Sequence, residues 1–182
     1  MILDFSKSGL YLVFEVDEKG CLLFKHFSCK EQNPELVKTG ACFAVGDVHV
    51  TEEDQDDHHG GRHTGHSGTK SLRYVSRRII EMDGCETIEF LMTDGKMNVT
   101  AYYQLFDDVA GVRSWTNVEN ISEEPLGLEY VPSFSYVGIN GGKIPNEESI
   151  RVRIPHSSAN RDVNWIDTSL MQLGYDCRLA AS

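Results

Sequence analysis

Thr87-Ile88-Glu89-Phe90-Leu91-Met92-Thr93, then Asp94-Gly95, then Lys96-Met97-Asn98-Val99-Thr100-Ala101-Tyr102-Tyr103-Gln104-Leu105-Phe106, is the stretch whose reading decides the fold. Asp-Gly between two alternating runs is a strong hairpin signal, because glycine takes the positive φ that a tight turn demands. In the second run Met97, Val99, Ala101, Tyr103 and Leu105 alternate with Asn98, Thr100, Tyr102 and Gln104. Side chains on a strand point alternately to its two faces, so this pattern buries one face and leaves the other half polar.

The same period of two runs outward in both directions. Leu10, Leu12, Phe14 and Val16 share one side of a strand that ends at the acidic turn Asp17-Glu18-Lys19-Gly20, and Cys21 to Phe27 reads as its return. Leu72 to Ile80 is a further strand, with Arg73 and Arg77 on one face and Tyr74, Arg78 and Ile80 on the other. Val112 to Glu119 and Leu126 to Val131 repeat the pattern across the turn Ser122-Glu123-Glu124-Pro125, and Ile150 to Ile154 makes a last short strand before Pro155. Only Thr168 to Leu173 suggests a helical turn, with Thr or Ser as cap and Gly174 as stop. Many short strands separated by turn signals predict an all-β fold, an antiparallel sandwich with very little helix. Residues 51–71 and 138–148, rich in Gly or charge, are the least regular parts.

A chain of 182 residues, with 40% hydrophobic and 25% charged content, suits one soluble domain with one sizeable core. A net charge of −11 argues against nucleic acid and against an anionic membrane as partners, while a neutral sugar fits that field. Cys21, Cys29, Cys42, Cys85 and Cys177 are odd in number and lack CxxC spacing, which points to reduced thiols in a cytoplasmic protein. The N-terminus shows no secretory signal and no apolar run is long enough to span a bilayer, so the sequons at Asn98 and Asn120 carry no weight.

Four of the seven histidines fall in Asp57-His58-His59-Gly60-Gly61-Arg62-His63-Thr64-Gly65-His66, directly after the acidic run that begins at Glu52. Glycine lets the backbone approach a partner closely, and His, Asp and Arg offer hydrogen bonds to hydroxyls or ligands to a metal. His59 and His63 would share one face of a helix, which the glycines disfavour, so no metal site and no cofactor is expected here. Gly61 to Ser71 fails the phosphate-loop pattern because Thr69 separates Gly68 from Lys70. The chain also lacks a G-x-S-x-G elbow, a recognisable Cys, His and Asp triad, and any carboxylate pair that stands out among its 28 acidic residues, so no catalytic residue is assigned. Trp115, Trp165 and Tyr102 could stack on sugar rings, although Trp115 inside a strand also suits core packing.

Three stretches resemble the N-terminal region of glycoside hydrolase family 36, the bacterial alpha-galactosidases. They are Asp57 to Gly65 running on to Leu72-Arg73-Tyr74-Val75-Ser76, then Val112-Arg113-Ser114-Trp115-Thr116-Asn117-Val118 with Pro125 to Val131, and finally Ile154-Pro155-His156-Ser157-Ser158 with Asn164-Trp165 and Leu173-Gly174. The resemblance implies that residues 1–182 are a single domain, an incomplete N-terminal β-supersandwich. The catalytic (β/α)₈ barrel with both aspartates of the retaining mechanism would then lie outside this sequence. It further implies an alpha-galactoside as substrate of the full-length hydrolase, the barrel as packing partner, and a homo-oligomer in which Asp57, His58, His59, Arg62 and His63 contact the rim of the sugar pocket. The sequence departs from the family at Pro155-His156-Ser157-Ser158-Ala159, which lacks a tryptophan, and at Ile166-Asp167-Thr168, which replaces basic and aromatic residues. A stand-alone carbohydrate-binding module and a His-loop metal-binding protein are the alternative readings.

Overall fold

The computed structural model describes residues 1–30, 44–51, 71–136, 151–155, 165–169 and 172, and the backbone of 58–59, 62–63, 156–158 and 161–164. The chain divides into two units, Met1–Val137 and Gly138–Ser182. Among the described residues the fold is nearly all β, and every strand pairing is antiparallel, as the alternation predicts.

In the first unit β1 (Ile2–Lys7), β2 (Leu10–Val16) and β3 (Leu22–Ser28) form a three-stranded meander. Ser8 and Gly9 join the first two with φ of 51° and 81°, the paired positive values that match the twist of a two-residue hairpin. Four short strands follow: β4 (His49–Val50), β5 (His58–His59), β6 (Arg62–His63) and, after the second sheet, β11 (Leu128–Tyr130). The second sheet holds β7 (Arg73–Met82), β8 (Cys85–Thr93), β9 (Met97–Phe106) and β10 (Val112–Asn120), in the order β10-β9-β8-β7.

The two sheets pack face to face. Leu12, Phe14 and Phe24 of the first meet Ile88, Phe90, Val99 and Tyr103 of the second in one apolar cluster. Phe14 is fully buried at its centre, with ring centroids 4.4 Å from Phe24, 4.7 Å from Phe90 and 5.0 Å from Tyr103. Every predicted core position of β9 is buried, and its alternate residues are half-buried.

The structure corrects five local expectations. The β8–β9 hairpin turns on Gly95-Lys96, one residue later than Asp94-Gly95. Asp94 uses its carboxylate to accept the amides of Lys96 and Met97, and Gly95 takes φ 88° as first central residue. A bulge at Val75 shifts the β7 register, so Tyr74 pairs with buried Met92 while Arg78 pairs with Glu89. Arg73 and Arg77 therefore lie on opposite faces of the sheet rather than on one. β11 does not fold back on β10; it pairs with β4. Asn120 and Ser122 spend their hydrogen bonds closing a turn on Glu124, which carries the chain away from β10. In the second unit β12 (Arg151–Ser158) runs through Pro155 and pairs with β13 (Arg161–Ser169). A two-stranded ribbon is all edge, where the missing amide of proline is tolerated.

The helical turn expected from Thr168 begins instead as the end of β13. Ser169 and Gln172 then exchange hydrogen bonds, Ser169 N to Gln172 Oε1 and Gln172 N to Ser169 Oγ, the reciprocal form of a capping box.

Two outcomes follow from this core. Phe14→Ala removes the ring shared by four aromatic neighbours and should cost about 3–5 kcal/mol, which a urea titration of the purified chain reads directly. Burial pushes the Tyr103 phenol well above its ordinary value. The unfolded chain therefore releases that proton first, and stability should fall as pH climbs past about 10. Tyrosinate absorbance should show Tyr103 ionising only with the unfolding transition.

Candidate functional site

The strand that precedes the histidine stretch in sequence is fixed by pairing. β4 pairs with β11 through His49 opposite Tyr130 and Val50 opposite Leu128, and Thr51 donates its amide to the Gly127 carbonyl at 2.8 Å. Gly127 is needed for this approach, since a Cβ there would lie 2.5 Å from Thr51 Oγ1. Seven residues beyond Thr51 the backbone pairs with itself, His58 opposite His63 and His59 opposite Arg62. The stretch is thus an extended ribbon at these four positions, and His59 and His63 do not occupy successive turns of a helix. Asp57 lies outside the described residues, and the other four are placed by register alone.

Around β4 is a pair that the sequence did not single out. Asp47 and His49 are both buried, with His49 Nε2 3.3 Å from Asp47 Oδ1, and the imidazole lies 4.9 Å from the Tyr130 ring. Their only sequence signal is a histidine between Val48 and Val50, which themselves are core residues.

The outer face of the second sheet is a second candidate. Trp115 lies opposite Tyr102, and the two rings stack at 4.8 Å with 6° between their planes. The Arg113 guanidinium sits 5.7 Å from the Trp115 ring. Asn117 Nδ2 donates to the Tyr102 hydroxyl at 3.5 Å, and Asn98 Nδ2 donates to Glu119 Oε2 at 3.1 Å. Trp115 therefore belongs to the solvent side of the sheet and not to the core. Beside these rings an open groove of about 620 Å³ runs along β9 and β10, closed on its far side by Leu128 and Val131. Amides, hydroxyls, one carboxylate and an aromatic edge share its lining, a set suited to a neutral polyhydroxylated ligand.

In the second unit Trp165, 57% exposed, stands opposite Pro155 and beside Arg153 and Asp167 around a cavity of about 400 Å³. Arg151 and Arg153 both bridge Asp167, at 2.5 and 3.4 Å, and the Arg151 hydrogen bond holds its carboxyl below the usual range. Among the described residues, no three His, Cys, Asp or Glu side chains come together to hold a metal ion. Cys21, Cys29 and Cys85 are thiols.

No protein-family model, curated protein or solved structure matches this chain.

Gly127→Ala should push Thr51 aside and loosen the β4–β11 pairing. The expected cost is about 1–3 kcal/mol, visible as a lower urea midpoint and as faster hydrogen exchange at the Thr51 amide.

Proposed function

We propose that this chain is a non-catalytic β-sandwich domain of an alpha-galactosidase-like glycoside hydrolase, serving barrel packing, oligomer assembly and the rim of the sugar pocket. The observation that carries the reading is the β4–β11 pairing. It ties the end of one family-like stretch, Pro125 to Val131, to the strand that leads into the other, Asp57 to Gly65. A ribbon that follows a strand fixed in this way suits a contact at the edge of a neighbouring pocket. Asp57, His58, His59, Arg62 and His63 would offer donors and acceptors to sugar hydroxyls, with bond cleavage left to aspartates of the barrel.

A second reading is favoured by the groove beside Tyr102 and Trp115: a carbohydrate-binding module that holds a sugar without help from a barrel. Aromatic surface against the apolar face of a sugar, with amides reaching its hydroxyls, is sufficient chemistry for such binding.

Calorimetric titration of the purified chain with an alpha-galactosyl disaccharide separates the two readings. The first expects neither saturable binding nor hydrolysis of a chromogenic alpha-galactoside by the chain alone. Saturable binding that Trp115→Ala weakens roughly tenfold would replace it with the second. Turnover of the chromogenic substrate would overturn both.

A further inference from the structure

We infer that β7 is a pairing edge through which two copies of this chain join into one continuous sheet, in a register centred on Ile79. This inference is independent of any sugar function.

Among the described residues the second sheet has four strands against three in the first, and β7 forms one of its edges. Its inner-face residue Ile79 is 46% exposed, and Val75 and Met82 are 52% and 49% exposed. A ten-residue edge strand with apolar side chains is a template for another strand, and natural edges are usually shortened or covered.

The hairpin decides which backbone groups face outward. Met82 pairs with Cys85 across the two-residue turn Asp83-Gly84, and a pair this close to the turn must exchange its own hydrogen bonds. Alternate residues then bond to β8, namely Ile80, Arg78 and Ser76. Glu81, Ile79 and Arg77 turn their N–H and C=O groups away from the sheet. Tyr74, beyond the bulge, also points its amide outward, where it donates to the Gly20 carbonyl at 2.8 Å and closes that end of the edge.

An antiparallel two-fold pairing about Ile79 uses all three outward residues. Ile79 meets Ile79 of the partner subunit, while Arg77 meets the partner's Glu81 and Glu81 meets the partner's Arg77. Directly opposite residues of unlike charge stabilise a sheet, and like charges destabilise it. The neighbouring registers fail this test. Centring on Arg77 or Arg78 sets arginine against arginine, and centring on Glu81 sets carboxylate against carboxylate. Centring on Ile80 leaves Glu81 opposite Ile79. Arg78 does not compete for Glu81, because it is held by Glu89 at 2.7 Å on the other face.

Sedimentation velocity of the full chain over a concentration series tests the register. The wild type should dimerise reversibly. Arg77→Glu and Glu81→Arg each set like charges opposite one another twice, and each should weaken the dimer roughly tenfold or more. The double variant re-pairs the charges and should restore it, while Arg113→Glu on the opposite edge should leave it unchanged. Arg77 lies over the Phe5 ring, so if its variant fails to fold, Glu81→Arg alone carries the test, because Glu81 is exposed. A wild type that stays monomeric at about 100 µM overturns the inference. So does a dimer indifferent to the single reversals, or one not restored by the double variant.

Discussion

Phe14 is where the two sheets become one structure. Its ring stacks on Phe24 of its own sheet and reaches Phe90 and Tyr103 of the other. Sheets that face each other are about 10 Å apart, a gap that large side chains from both inner faces must fill without voids. Five aromatic rings, Phe5, Phe14, Phe24, Phe90 and Tyr103, do so in a connected set of edge, tilted and stacked contacts. Because the inner faces bind the layers together, the outer face of the second sheet is released from packing. That release is what permits Trp115, Asn117 and Glu119 to occupy the outer face of β10 without loss of the fold.

Much of this was legible in the amino-acid order. Met97 to Leu105 announced a strand with one buried face, and the structure buries those five residues and no alternate one. What escaped was one-residue detail. Asp94 looks like a turn residue, yet its carboxylate caps the turn from outside it, because two backbone amides need an acceptor there. Strict alternation placed Arg73 with Arg77, but an extra residue at Val75 cannot be read from periodicity since it breaks the period. Leu126 to Val131 has the composition of a strand, and composition does not name a partner. Its pairing with β4 depends on a glycine small enough to meet Thr51.

The site was harder to read than the fold for the same reason. The histidine stretch stands out by density alone, and its extended backbone follows from glycines that disfavour a helix. The stacking of Trp115 on Tyr102 needs the β9–β10 register, which joins residues 13 apart in sequence and is invisible in either strand by itself. Asp47 and His49 are buried although both are polar, and a short segment between valines gives no pattern from which to expect it.

The bulges at Val75 in β7 and at Lys25 in β3 each set one extra residue into a ladder, so the residues two apart on either side of it fall on opposite faces. Val75 is the extra residue of its bulge: Tyr74 and Ser76 on either side of it pair with the adjacent Met92 and Leu91. Deleting it would join the two into an unbroken ladder with Tyr74 still on the inner face, because a bulge residue has no partner of its own to lose. A β7 shortened by that one valine should therefore keep both faces of the sheet and give up only the bend that the bulge adds.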